Sequence, residues 1–363
     1  MRVLVLTASV GEGHDLPARV LAGDLRARDV DVVVADGLDE MGKLLAGAAE
    51  GGMRVTYGSG RMLWLFDLQY MLFGRLTPTR MLGQQLLYRL GGTRLLRFAE
   101  AHRPDVVVST YPGVTEVLAR LRRSGRLRMP AVSAITDLSS LRYWAARGID
   151  LHLLTHPESV AEVRRIAGSS TRIEVVRGLD DPSFLAPPEP EQARARLGLA
   201  DGPVVAVSGG GWGVGDLEGA VNAARSAADA VTVLALCGRN ENKRSYFERL
   251  FADDRNVRVL GFVDDMASLL AASDVLVHST AGLTALEAWM VGCRPISYGW
   301  GVGHIRLNNR AFAREGIAEV VPSREELPGA IRAALTRSRV PHYADFAKLP
   351  SAADVLVATY QST

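Results

Sequence analysis

Two glycine-rich segments, each directly after a short apolar run, constrain the fold of this chain more than any other feature. The first, Ser-Val-Gly-Glu-Gly-His at 9–14, follows Val3–Leu6, and the second, 208–215, follows Val204–Val207. A strand that ends in glycines and passes into a helix leaves backbone N–H groups free at the positive end of the helix dipole. Each segment therefore predicts a phosphate site, and the pair predicts two similar domains facing a central cleft.

Apolar β-type runs alternate with helical patterns along both halves of the chain. Such alternation is typical of parallel sheets with crossover helices and predicts an α/β protein with two Rossmann-like, doubly wound parallel-sheet domains. The predicted strands are 3–6, 30–35, 106–109, 131–135, 151–154 and 173–176 in the first half, and 204–207, 231–236, 257–260, 275–278, 295–298 and 318–321 in the second.

A proline-rich stretch separates the two halves. Four prolines lie between 182 and 190, where they would interrupt a helix or a central strand, so 181–200 is predicted as a linker. The predicted domains are 1–180, an N-terminal domain expected to bind the reaction partner, and 201–340, a C-terminal domain expected to bind the phosphorylated ligand. The helical pattern over 343–360 lies in a tail, 341–363, that we expect to cross back to the first domain.

The composition narrows the cellular context. With 363 residues, two cysteines and no long apolar run near Met1, the chain has no predicted disulfide framework, signal peptide or membrane-spanning helix. We expect it in the cytoplasm, peripherally associated with the inner face of the plasma membrane.

Positive charge is concentrated at about 51–103. This region contains eight arginines and only two acidic residues, Asp67 and Glu100, so its local net charge is +6. The apolar stretch 62–73 lies within this region and contains Trp64 and Tyr70. Arginines beside interfacial aromatics favour a membrane-facing insertion that binds an anionic surface. An ordinary core helix with solvated arginines is the alternative. The arginines are separated by large apolar blocks, which argues against nucleic acid.

Individual residues argue against hydride transfer and favour a reaction in which a hydroxyl group attacks a bound substrate. The dinucleotide fingerprint fails in both turns, because Leu16 and Val214 stand where its third glycine belongs. His14, in the first helical turn, can accept a proton from a hydroxyl, although a helix-capping surface histidine is the alternative. Glu287 lies one turn into a helix that starts with small residues, where a carboxylate can bind a ribose diol; a solvated helix residue is the alternative.

Several motifs occur together in one order along nearly the whole chain: Gly11-Glu12-Gly13-His14, Thr136-Asp137-Leu138 with Trp144, Gly209–Gly213, Cys237-Gly238-Arg239-Asn240, Gly261-Phe262-Val263, and Leu283-Thr284 with Glu287. In this order they resemble the GT-B glycosyltransferases of the monogalactosyldiacylglycerol synthase and processive diacylglycerol glycosyltransferase type. More distantly, they are similar to the enzyme that adds N-acetylglucosamine to the lipid-linked peptidoglycan precursor.

The resemblance implies a GT-B fold and an inverting, metal-independent transfer of a hexose from a UDP-sugar to a lipid hydroxyl such as that of diacylglycerol. It implies no cofactor besides the donor substrate, His14 as the base, and Asp137 as an aspartate of the cleft. The implied donor-binding positions are Gly11, Gly13, Gly209, Gly210, Gly211, Trp212, Gly213, Arg239, Asn240, Phe262, Val263, Met266, Ala281, Gly282, Leu283, Thr284, Glu287, His304 and Asn308.

The chain departs from the family pattern at several positions. Ser279 stands where Lys or Arg is usual, the glycine expected at Ala281 is shifted to Gly282, and His304-Ile305 replaces the Gln-Glu pair that reads the sugar. On the acceptor side, Leu141-Arg142 replaces His-Pro. The donor sugar, the acceptor, the number of sugars added and the oligomeric state therefore stay open.

Other functions on the same fold remain as alternatives. One is a UDP-sugar epimerase or a natural-product glycosyltransferase, which would need no lipid. Another is a non-catalytic regulator that binds a UDP-sugar without turnover.

Overall fold

A computed structural model describes residues 1–8, 12–43, 45–47, 51, 77–280, 282–299, 301 and 303–361. The chain forms two compact units, one comprising Met1–Asp181 with Ala347–Thr363 and the other comprising Pro182–Phe346. The apolar stretch predicted at 62–73 and the predicted donor-site residues Gly11 and Ala281 lie outside the described residues.

Each unit contains a six-stranded parallel sheet, as the alternating pattern predicts. The strands of the first sheet are β1 (Arg2–Thr7), β2 (Asp31–Asp36), β3 (Val106–Ser109), β4 (Ala131–Ile135), β5 (Leu151–Leu154) and β6 (Arg172–Val175). Those of the second are β7 (Val204–Ser208), β8 (Thr232–Leu236), β9 (Val257–Leu260), β10 (Val275–His278), β11 (Arg294–Tyr298) and β12 (Glu319–Val321).

Helices flank both sheets and cover their apolar faces. In the described residues they are α1 (Glu12–Arg26), α2 (Gly37–Met41), α3 (Thr77–His102), α4 (Pro112–Arg123), α5 (Val160–Ala167), α6 (Pro190–Leu197), α7 (Leu217–Arg225), α8 (Glu241–Leu250), α9 (Met266–Ala272), α10 (Leu283–Met290), α11 (His304–Arg314), α12 (Leu327–Leu335), α13 (Tyr343–Ala347) and α14 (Ala352–Tyr360).

The strand orders place a topological switch point in each sheet. The first sheet runs β2-β1-β3-β4-β5-β6 and the second β12-β11-β10-β7-β8-β9. In each sheet the chain first extends to one side of its first strand, β1 or β7, and then crosses to the other side. The switch point therefore lies between β1 and β3 in the first sheet and between β7 and β10 in the second. In doubly wound sheets ligands bind outside the carboxyl ends of the strands at this point. The α/β fold class is confirmed.

The last helix of the chain belongs to the first unit. Ala352, Ala353 and Leu356 of α14 pack into the same apolar cluster as Val3 and Val5 of β1. The predicted helical pattern over 343–360 forms two helices rather than one, because Pro350 interrupts it. The Ser351 side chain then caps α14 by accepting from the N–H of Asp354 at 3.0 Å.

The stretch predicted as a linker is partly helical. Pro190 is the first residue of α6, a position where the missing N–H of proline costs nothing. Gly198 ends this helix in the left-handed conformation, with φ of 58°. Arg194 of α6 binds Asp274 at 2.8 Å, so this part of the stretch is packed into the second unit.

Within the described part of the chain, no helix is both long enough and apolar enough to cross a bilayer.

Candidate active site

The first turn of α1 lies at the switch point of the first sheet. His14 is in this turn, and its carbonyl accepts a hydrogen bond from the Thr110 hydroxyl at 3.1 Å. One residue on, the Asp15 carboxylate accepts from the Thr7 hydroxyl at 2.9 Å. Since Thr7 ends β1 and Thr110 follows β3, both strands that border the switch point fix the start of the helix.

Two aromatic rings lie beside the His14 imidazole. The ring of Tyr111, two residues after the end of β3, meets it edge-on with centroids 5.1 Å apart, and the centroid of the Trp144 indole lies 5.5 Å away. Burial raises the pKa of the Tyr111 hydroxyl, so that it stays protonated at neutral pH. The imidazole is therefore bordered by the phenol ring of Tyr111 and the indole of Trp144.

Trp144 also contacts the second predicted catalytic residue. Its indole N–H donates to Oδ2 of Asp137 at 3.0 Å. Trp144 is 1% exposed, so the orientation of its ring is fixed by packing. The structure thus brings His14 and Asp137 to the same edge of one sheet with a single buried indole touching both.

In the second unit, the segment Gly209–Gly215, here called the glycine loop, leaves the carboxyl end of β7. Residues Gly210–Trp212 form a 3-10 turn, and Gly213 follows with φ of 61°. The turn is closed by a hydrogen bond from the Gly213 N–H to the Gly210 carbonyl at 3.1 Å. The positive φ explains the glycine at this position.

The carbonyls of the glycine loop face the turn that follows β8. Three consecutive carbonyls, of Gly211, Trp212 and Gly213, accept from the Arg239 N–H at 2.8 Å, the Asn240 side-chain amide at 3.3 Å and the Lys243 ammonium at 2.6 Å, respectively. The predicted donor-site residues 209–213, Arg239 and Asn240 are therefore in direct contact.

An exposed aromatic ring follows β9. The Phe262 side chain is 41% exposed, and the Arg239 guanidinium stacks over its ring at 3.7 Å from the centroid. Val263 comes next, and α9 begins at Met266. A guanidinium on an aromatic face presents a flat surface on which a further planar group can stack.

The turn after β10 packs on the glycine loop. A Cβ added to Gly210 would lie 3.4 Å from the Thr280 side chain. Gly282 then precedes α10, whose first residues are Leu283 and Thr284. Glu287, one turn further on, is 5% exposed, so the structure excludes a solvated helix residue at this position.

The remaining predicted residues lie on helices that start at these same sheet edges. α11 follows β11 and starts at His304, and its Asn308 is 3% exposed. Gly13, in the first turn of α1, is exposed.

Sequence reasoning missed Tyr111 and Lys243. Tyr111 had a usable signal, because it follows the apolar run 106–109 and precedes Pro112-Gly113, and the strand order then places it beside β1. Lys243 gave no local signal, since its contact with Gly213 spans 30 residues of sequence.

Comparison with known proteins finds a match to a family of sugar-transferring enzymes in each half of the chain. Residues 27–178 match the family model described as monogalactosyldiacylglycerol (MGDG) synthase, and residues 212–337 match the model described as glycosyl transferases group 1. The processive diacylglycerol beta-glucosyltransferase of Bacillus subtilis (strain 168) is 24% identical over 90% of this chain and 85% of that protein.

Two further proteins cover the chain to different extents. Monogalactosyldiacylglycerol synthase 1, chloroplastic, of Arabidopsis thaliana is 29% identical over 62% of this chain and 44% of that protein. The structure of Arabidopsis thaliana UGT89C1 complexed with UDP aligns with a TM-score of 0.62 and 16% identity over 99% of both chains. The chain is a GT-B glycosyltransferase that resembles the monogalactosyldiacylglycerol synthases and the processive diacylglycerol glucosyltransferases.

Proposed function

We propose that this chain transfers a hexose from a UDP-sugar to a lipid hydroxyl such as that of diacylglycerol, with inversion and without a metal ion. The observation that carries the proposal is the cluster of His14, Trp144 and Asp137 at the switch point of the first sheet. Trp144 and Asp137 lie within the part of the chain that matches the synthase model, and the relatives that cover most of this chain are named for transfer to diacylglycerol.

In the proposed reaction His14 acts as the general base. The acceptor O–H gives its proton to an imidazole nitrogen while the oxygen bonds to the anomeric carbon of the donor. The bond from that carbon to the diphosphate breaks, and its electron pair leaves with UDP. One such displacement inverts the anomeric centre. General base catalysis contributes about 10²–10⁴-fold to rates of this kind.

The donor would bind the second unit. The first residues of α10, at the positive end of that helix, would bind the diphosphate beside the glycine loop, which supports leaving-group stabilisation without a metal. Glu287 would accept from the ribose diol, and the Arg239–Phe262 stack together with the Val263 backbone would bind the uracil. The plant GT-B structure titled as a UDP complex is consistent with this donor.

An exposed apolar stripe on α3 supports an acceptor that comes from a membrane. Leu82, Leu86 and Leu90 are four residues apart, so they lie on one helix face, and they are 70%, 55% and 54% exposed. Arg89 and Arg94 are also exposed on this helix. Leucines with arginines beside them suit the interface of an anionic bilayer.

A turnover assay tests the proposal. The protein is incubated with UDP-glucose, UDP-galactose or UDP-N-acetylglucosamine, with and without diacylglycerol in anionic vesicles, and products are identified by mass. We expect UDP release that depends on diacylglycerol, a β-linked product by NMR, and turnover that survives EDTA. His14→Ala should abolish turnover while UDP affinity stays at the wild-type value.

The outcomes separate this proposal from its alternatives. Sugar conversion without an acceptor would indicate an epimerase, and transfer to a soluble acceptor without lipid would indicate a natural-product glycosyltransferase. UDP-sugar binding with no turnover would indicate a regulator.

Vesicle binding tests whether the stripe on α3 contacts a membrane. Leu82→Glu combined with Leu86→Glu should reduce vesicle binding, whereas Val340→Glu, at an equally exposed apolar position in the second unit, should not.

A further inference from the structure

Lys243 lies in the first turn of α8 and reaches the glycine loop. Its backbone N–H donates to the Asn240 side chain that caps this helix, at 3.0 Å. Its ammonium donates to the Gly213 carbonyl at 2.6 Å. The backbone and the head of this side chain are thus both fixed, so that the charge is held at one place on the loop.

The surroundings of Lys243 make its charge effective. Burial lowers the pKa of its ammonium, while the carboxylate of Asp216 acts in the opposite direction. A partly desolvated charge interacts more strongly with a nearby anion than one in water does. An ammonium has three N–H donors, and the Gly213 carbonyl uses one of them.

The position at which the family carries a cation is filled differently here. Ser279 stands there, and a Cβ added to Gly215 would collide with the Ser279 side chain. The glycine loop therefore packs directly against residue 279. A charge that is missing on the β10 side of the loop is present on the β8 side, at Lys243.

We propose that Lys243 supplies the positive charge that binds the donor diphosphate at the glycine loop, in place of the cation missing at Ser279. Lys243 is then a phosphate-binding residue of this chain. The inference rests on the proposed function, because it requires a nucleoside diphosphate at the loop.

Calorimetric titration with UDP and with uridine tests the assignment. Lys243→Met keeps the length of the side chain and removes its charge. We expect it to weaken UDP binding about 10-fold or more, the effect of losing one charge-assisted contact, and to leave uridine binding unchanged. Lys243→Arg should restore most of the UDP affinity. Arg249→Met removes a positive charge from the exposed surface of the same helix and should leave both affinities unchanged.

A second measurement separates charge from loop support. The three lysines of the chain, Lys43, Lys243 and Lys348, can be reductively methylated with ¹³C and followed by NMR. We expect UDP to raise the pKa of the Lys243 signal, because a nearby anion favours the charged form, and uridine to leave it unchanged. Equal UDP affinity of Lys243→Met and wild type, or a Lys243 signal that UDP does not shift, would overturn this inference alone. Absence of UDP binding by the wild-type protein would overturn the proposed function as well.

Discussion

The indole N–H of Trp144 donates to Oδ2 of Asp137 at 3.0 Å. The same ring lies 5.5 Å from the imidazole of His14, so that one buried side chain fixes the carboxylate and borders the proposed base. This relationship gives Trp144 a specific role in holding Asp137. It can be tested with a substitution that keeps an aromatic ring in the core and so avoids a large cavity.

Trp144→Phe keeps an aromatic ring in place and removes the N–H donor. A hydrogen bond to a charged group is worth about 1.5–3 kcal/mol, so we expect turnover to fall about 10- to 100-fold. UDP affinity should stay unchanged, because the proposed donor site is in the other unit. Steady-state kinetics and calorimetry on one preparation check both. Asp137→Asn, which keeps an acceptor for the indole and loses the charge, is the companion variant. Wild-type turnover in Trp144→Phe would mean that the bond does not matter for the reaction.

Gly238→Ala should damage the glycine loop. The φ of Gly238 is 60°, and an added Cβ would lie 2.5 Å from the Gly211 carbonyl and 2.7 Å from that of Gly210. Gly198, with φ of 58° and nothing within 4 Å of an added Cβ, is the matched control. Both variants carry a conformational cost of about 1 kcal/mol. Only Gly238→Ala should also weaken UDP binding, by about 10-fold or more. Equal UDP affinities of the two variants would contradict this prediction.

Stability should fall as the pH drops from about 6.5 toward 4, in part because of His278. Burial lowers the pKa of this histidine to about 4, and its imidazole is hydrogen-bonded to the Ser297 hydroxyl at 2.9 Å. The unfolded state takes up the proton at about pH 6.5, so in this window it binds more protons than the folded state, and acid favours unfolding. Between pH 7 and pH 5 one such group changes the free energy of unfolding by roughly 2 kcal/mol.

Urea unfolding at both pH values measures this effect. His278→Asn removes the titrating group, so the second unit of this variant should lose less stability on acidification than that of the wild type. An identical pH dependence in the two proteins would show that His278 does not titrate on unfolding.

Asp180 should give the free energy of unfolding a pH dependence opposite to that of His278. Burial raises its pKa to about 7, and the charge of Asp181 adds to the rise. The folded state therefore keeps a proton that the unfolded state loses above about pH 4, and the associated stability is lost as the pH rises through 7. Asp180→Asn should consequently make the protein more stable than wild type at about pH 8, and by a smaller margin at about pH 5, because the difference builds up as the pH rises from about 4 to 7. Asp181→Asn, at an exposed position, should have a smaller effect of the same sign. Thermal unfolding at both pH values checks this, and a destabilised Asp180→Asn at pH 8 would contradict it.

The strands could be predicted from the sequence because parallel strands buried on both faces read as continuous apolar runs. The run at 151–154 forms β5 with these same bounds, and the run at 3–6 extends only to Arg2–Thr7. The helices of the tail and of the stretch 181–200 were harder to predict from the sequence. The prolines of 182–190 predict an interruption of regular structure, whereas Pro190 starts a helix, and in the tail Pro350 separates two helices.

The candidate site was predictable where a backbone motif marks it and not where distant side chains make it. Glycines after β1 and β7 indicate the two switch points directly. The contacts of Tyr111 with His14 and of Lys243 with Gly213 depend on strand order, which local patterns do not encode.

The first unit is built from both ends of the chain, since α14 completes the cluster that contains Val3 and Val5. A ribosome makes residues 1–181 early, but it makes Ala352, Ala353 and Leu356 only after the whole of the second unit. Domains usually mature in the order in which they are synthesised. Here we expect the reverse, with the second unit folded while the first still exposes the apolar surface that its final helix will cover. The newly made chain is then most open to chaperones and proteases at the unit that carries the proposed base.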